Sequence, residues 1–247
     1  MKYADRQWLI KALVGSHNYN LNTETSDKDY KVFVLPTFND LYKGEKVSKC
    51  SVSNEEDVSI HDIRMLVNML YKSNVNFTEV LFSKELIINP ELPLSTHNIV
   101  TEIIKNREEY AKMNLPYLWD ACIGMYLQNK SKMGYADLND KAFDSKKAMT
   151  AYRILDFLER YALFMQNNIE EPFKNAIRYG STFYTEDKKV LLMHLRNTAN
   201  FVEAKQILED KFGKVQQYKS FYKESEINEK LKLELERDLK KIVYKNI

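Results

Sequence analysis

Glycine is scarce, with six in 247 residues. Neither G-x-x-x-x-G-K-[ST] nor G-x-G-x-x-G occurs. A glycine-rich phosphate loop and a doubly wound dinucleotide fold are therefore not indicated. Of the four histidines, His97 and His194 lack partners at metal-ligand spacing, which argues against zinc. Cys50 and Cys122 lie far apart in sequence, so free thiols in a reducing cytoplasm are expected. No apolar run approaches membrane-spanning length, and no basic-then-apolar segment opens the chain. A soluble cytoplasmic protein without a membrane partner is the expectation. Charge of one sign is also missing: 37 basic and 35 acidic residues leave +2. Any polyanion must then be met by a local patch, not by a bulk field.

The apolar segments fall into two regimes. Residues 8–14 and 29–35 read as strands, the second stopped by Pro36. Asp57 to Ile60 alternates and predicts a third short strand, and residues 85–88 a further one. Between the second and third strands, residues 37–56 are rich in Lys, Asn, Ser and Glu. They predict a helical turn near Phe38–Tyr42 followed by a mobile loop. Residues 61–71 place Ile63, Leu66, Val67 and Leu70 at helical spacing, with His61 opening the helix. After Pro90 and Pro93 the pattern is helical, over 96–106, 116–130, 144–165, 171–177, 186–195, 199–211 and 225–244. Asp144 is a good N-cap for the longest of these. The fold class expected is α+β: a small mixed-sheet module over 1–94, then an all-helical domain over 95–247.

One stretch carries chemistry. A Gly-Ser turn, Gly15-Ser16, follows the first strand, and Ser26-Asp27-Lys28-Asp29 opens the second. Side chains two apart in a strand share a face, so Asp27 and Asp29 project together. Two adjacent carboxylates repel unless a cation sits between them, and hard oxygen ligands at this spacing suit Mg²⁺ with substrate phosphates. Gly15 lets the backbone approach a phosphate, and Ser16 adds a hydroxyl. A third carboxylate is expected from Glu55, Glu56 or Asp57. With Val58 and Ile60 facing the core, Asp57 has the open face. The bland readings are a turn cap with a solvated acid for Asp27 and Asp29, and a strand-start acid in water for Asp57.

The pattern G-S-x-x-Y-x-L-x-T-x-x-S-D-x-D from Gly15 to Asp29 resembles the signature of the DNA polymerase beta-like nucleotidyltransferase superfamily. It is most similar to the bacterial and phage branch associated with RNA repair. The similarity continues through Asp57–Arg64, Lys72–Phe82, Asp144–Arg153 and Ile177–Gly180. The branch usually has Gly, Pro and His where this chain has Asn20, Val75 and Thr150. Asn tolerates a left-handed backbone, so the turn at Asn20 survives. Thr150 removes a phosphate or acid–base group from its helix.

The resemblance implies transfer of a nucleoside monophosphate from an NTP to an acceptor, an RNA end being favoured, with release of pyrophosphate. Asp27 and Asp29 would bridge two Mg²⁺ ions, with Asp57 completing the second ion's shell. Gly15, Ser16 and Ser26 would hold the nucleotide. Lys146 and Lys147, with Arg153 in the same helix, would neutralise the triphosphate or guide RNA; the alternative is a solvated face with Lys paired to Asp144. If the acceptor is RNA, Lys43, Lys46 and Lys49 should flank one cleft with that helix. His17 lies in the phosphate turn within reach of substrate, and Glu79 braces its own turn. The amphipathic stretch 226–245 is expected to pack on its own domain, with partner binding or dimerisation the alternative. A nucleotide- or RNA-binding module without transfer is the competing reading, and a protein or small-molecule acceptor a third. The acceptor, the nucleotide and the oligomeric state stay open.

Overall fold

The computed structural model describes residues 3, 5–52, 56–134, 142–179, 186–197 and 199–246. The chain divides into two compact units. The first runs to Asn114 and resumes at Ile227; the second is Leu115–Glu226.

The first unit is built on a five-stranded sheet in the order β3-β4-β2-β1-β5. β1 (Trp8–Val14) runs directly into the short helix α1 (Gly15–Tyr19). β2 (Lys28–Val34) returns antiparallel beside it, burying Val32, Phe33 and Val34 completely. Thr37 and Asp40 then close a reciprocal cap on α2 (Phe38–Lys43), satisfying donors at the start of the helix. β3 (Ser48–Val52) and β4 (Glu56–Asp62) form an antiparallel pair. β4 lies parallel to β2, in register from Lys28–Glu56 to Val34–Asp62. The fold is thus α+β with a mixed sheet, as expected.

Two local expectations are corrected. The stretch beyond α2, expected as loop, contains β3. Its Ser-Lys-Cys-Ser sequence is polar because β3 is an edge strand, where lysine and serine face solvent. His61 does not open a helix: it sits inside β4, paired across the ladder with Ser48 and Phe33. Helical structure starts at Ile63, where the Asp62 carboxylate accepts from the Arg64 backbone N–H. α3 (Leu66–Tyr71) and α4 (Val75–Thr78) follow, then β5 (Leu86–Ile88), α5 (Leu94–Lys105) and α6 (Arg107–Lys112). The C-terminal helix Glu229–Lys245 rejoins this unit, packing on α3 and α5 and burying Leu235, Leu239 and Ile242.

The second unit consists, among the described residues, of α7 (Leu115–Lys132), α8 (Ser145–Gln166), α9 (Pro172–Ile177), α10 (Glu186–Asn197), α11 (Phe201–Val215) and α12 (Lys219–Lys223). α8 is its axis, contacting α7, α9, α10 and α11. Asp144 caps α8 by accepting from the Lys147 N–H at 3.1 Å. The helix carries a buried ionic cluster. Asp156 receives Arg160 and Lys211, each at 2.8 Å, and Lys188 at 3.0 Å. Burial raises the Asp156 pKa, but Arg160, then Lys211 and Lys188, outweigh it and hold the carboxyl well below its usual range. No helix among the described residues is long and apolar enough to cross a membrane.

Candidate active site

The site grows from the register of three strands. Val14, the last residue of β1, pairs with Asp29 of β2, and Asp29 pairs with Asp57 of β4. In adjacent parallel strands, register partners project from the same face one strand spacing apart, about 4.8 Å. Asp29 and Asp57 therefore stand side by side at the strand entrances. Glu56 has the opposite parity and pairs instead with Lys11 at 3.2 Å. Lys11 also lies over the Tyr30 ring, 4.1 Å from its centroid. Glu55, the remaining candidate for the third acid, lies outside the described residues.

Gly15 is tied to this pair by a steric fact. Its φ is +68°, and a Cβ built there would collide with the Asp29 Oδ2 atom. The carboxylate occupies space that any other residue would fill. The turn then closes at Asn20, whose left-handed backbone (φ 64°) sends its cap N–H to the Ser16 carbonyl. Asn at this position supports the turn as expected. Asn18 of α1 is fully buried and accepts from the Lys84 N–H at 3.1 Å.

Ser26 has a different employment from the one expected. Its hydroxyl accepts from the Thr23 N–H at 2.8 Å, and its own N–H reaches the Thr23 carbonyl at 3.1 Å. His17 Nε2 donates to the Ser26 carbonyl at 2.9 Å, which requires the proton on that nitrogen. His17 thus ties α1 to the turn that delivers Asp27. A cavity of about 480 Å³ opens here, lined by His17, Glu24, Thr25, Ser26, Asp27, Lys28 and Glu56. Asp27 is exposed at its mouth.

Behind Asp29 on the same face, Lys31 and His61 fill the site's floor. Lys31 Nζ lies 3.5 Å from the Glu79 carboxylate and 5.3 Å from the Phe77 ring centroid. Glu79 is 2% exposed, and its Oε2 atom has no hydrogen-bond partner among the described residues. Sequence reasoning gives Glu79 a turn-bracing role and does not single out Lys31. A signal exists: Lys31 shares the parity of Asp27 and Asp29. His61 meets Phe77 edge to face at 4.9 Å. Burial, then the Lys31 charge, lowers its pKa to about 4, so it is neutral near pH 7.

Lys43 and Lys46 follow β2, at the end of the sheet opposite Asp29, so they do not flank the acid site. Lys146 and Lys147 belong to the first turn of α8, in the second unit. Arg153, grouped with them in the sequence, is 6% exposed and is no surface cation.

The donor set at the sheet suits a hard divalent cation. Asp29 and Asp57 offer oxygen ligands side by side, and Mg²⁺ characteristically takes one or two carboxylates while water and phosphate fill its shell. Among the described residues no three His, Cys, Asp or Glu side chains are gathered into one cluster. The pair fits one ion, and a second would need Asp27 drawn in from the mouth.

A comparison with curated proteins finds no match. Residues 4–158 match RlaP, described as the RNA repair pathway DNA polymerase beta family. That span covers the whole sheet, the Gly15–Asp29 turn and Asp57, and it extends into α8. The chain therefore belongs to the RNA repair pathway DNA polymerase beta family.

Proposed function

We propose that this protein transfers a nucleoside monophosphate from an NTP to an acceptor, an RNA end being favoured, with release of pyrophosphate. The observation that carries the reading is the row Gly15–Asp29–Asp57, a glycine pressed on one of two carboxylates in register. Transfer of a phosphoryl group needs positioning and charge neutralisation more than covalent chemistry by the protein. In this reading Gly15 and Ser16 hold the triphosphate against the sheet edge. Asp29 and Asp57 hold Mg²⁺, and Asp27 joins them as the mouth closes on the nucleotide. Bound Mg²⁺ supplies charge neutralisation and lowers the pKa of an attacking hydroxyl. Asp57 accepts the acceptor's proton. Ser26 acts by shaping the turn, because its hydroxyl is committed to Thr23. Lys146 and Lys147 are assigned to the triphosphate or the RNA.

The test is incorporation of labelled NTP into RNA, with Asp27→Asn/Asp29→Asn and Asp57→Asn compared to the parent. Each should reduce transfer at least about a hundredfold with an unchanged fold by circular dichroism, and a chelator should abolish it. Transfer that survives the double change removes the assignment. A second reading is a nucleotide-binding module without transfer: Asp27 is exposed, and no three ligating side chains are gathered into one cluster among the described residues. Binding of a non-hydrolysable NTP with no turnover on RNA, protein or small-molecule acceptors would decide for the module.

A further inference from the structure

The nucleotidyl site leaves one surface of the first unit without a role. Phe38 and Tyr42, one turn apart on α2, are 71% and 82% exposed. Their rings stack on each other with centroids 6.4 Å apart and planes 21° apart. The helix displaying them is fixed in place: Thr37 and Asp40 cap it, and Arg6 clamps Asp40 at 2.6 and 2.8 Å. Exposed lysines Lys43, Lys46 and Lys49 follow. The one exposed acid among them is Glu45, because Asp40 is buried and neutralised by Arg6. Beside them lies a cavity of about 500 Å³, whose lining includes Leu41, Lys46, Val67, Leu239, Lys240 and Tyr244. Its acid, Glu236, is paired with Lys240 at 2.8 Å.

Flat aromatic faces on a rigid support, interleaved with lysines, are what a single strand recognises. Bases stack on the rings, and phosphates track the cations. Protein interfaces show the opposite bias, being depleted in lysine. We propose that this surface is a stacking platform for single-stranded RNA. Bases would rest on Phe38 and Tyr42, phosphates would lie on Lys43 and Lys46, and the cavity beside Leu41 would receive an unstacked base. The proposal rests on the nucleotidyl-transfer reading only for the identity of this strand as the acceptor. Asp29 and Val34 lie at opposite ends of β2, about 17 Å apart at the strand's rise per residue. A stacked strand advances about 3.4 Å per nucleotide, so about five nucleotides span that length of β2.

Fluorescence anisotropy with a labelled single-stranded RNA, without NTP or divalent metal, tests this. Phe38→Ala/Tyr42→Ala should weaken binding at least about tenfold, and Phe38→Trp/Tyr42→Trp should retain it. Lys43→Ala/Lys46→Ala should flatten the log–log salt dependence by about one to two units. Wild-type affinity in the folded double-alanine variant would overturn the proposal. So would equal affinity for a duplex of the same sequence, or an effect of the variant confined to self-association in sedimentation. Loss of NTP turnover on every acceptor would strike the transfer reading and leave these binding results standing.

Discussion

At the scale of single residues, Gly15 is where conformation and chemistry meet. Its left-handed backbone and the Asp29 oxygen in its Cβ position impose separate demands. Gly15→Ala should cost about 1–2 kcal/mol for the backbone alone, read as a lowered thermal midpoint. It should also push the Asp29 carboxylate aside, so activity should fall much further than stability. A variant that keeps full transfer would show that the contact is incidental. His61 makes a second residue-scale case. Its pKa is about 4 in the fold against 6.5 as the ordinary value. The unfolded chain therefore binds the extra proton first, and stability is lost as pH falls from about 6.5 towards 4. The loss attributable to this group approaches about 3 kcal/mol. Lys31 is the charge that faces His61. Other carboxylates titrate there as well, so the measurement is the difference between parent and His61→Gln in urea unfolding at pH 7 and pH 4.5. A difference that does not change with pH would refute the assignment.

At the scale of elements, α2 depends on one buried ion pair. Asp40 accepts from Arg6, Thr37 N–H and the Thr37 hydroxyl. The Arg6 hydrogen bond is the strongest influence holding its pKa well below the carboxylate range, against desolvation. Asp40→Asn removes the carboxylate that Arg6 contacts most closely and should cost about 3 kcal/mol. Single-stranded RNA binding should fall with the loss of α2, whereas the Phe38/Tyr42 changes should spare stability; unfolding curves run beside anisotropy separate the two. The elements also show what sequence can convey. β1 and β2 are legible because Leu9–Val14 and Val32–Leu35 are apolar runs bounded by Gly15 and Pro36. Parity favours Asp57 as the third acid, and the register sets it beside Asp29. β3 is not legible, because an edge strand of Ser, Lys and Cys carries no hydrophobic period. His61 reads wrongly as a helix start because the apolar period of Ile63 to Leu70 extends back over it, while its strand pairing is a long-range fact. Ser26's engagement with Thr23 and Lys31's approach to Glu79 depend on side-chain geometry that spacing does not encode.

At the scale of the whole chain, the sheet unit is discontinuous in sequence. It leaves at Asn114 and recovers the C-terminal helix Glu229–Lys245 after the second unit has been made. That helix is strongly amphipathic, and its buried stripe of Leu235, Leu239 and Ile242 serves the first unit. Asn246 extends the tie, donating to the Thr96 hydroxyl of α5 at 2.8 Å. A chain truncated after Glu226 should therefore injure the unit that begins at the other terminus. Removing three buried aliphatic side chains forfeits about 5 kcal/mol or more, comparable to the net stability of a small domain. Hydrogen exchange followed by mass spectrometry should show protection lost in α3 and α5, while α8 and α11 of the second unit keep theirs. Because α3 contributes Val67 to the cavity beside α2, single-stranded RNA binding should weaken in the same truncated chain as protection is lost. If α8 and α11 lose protection first, the terminal helix stabilises the second unit instead, and the division of labour along the chain must be redrawn.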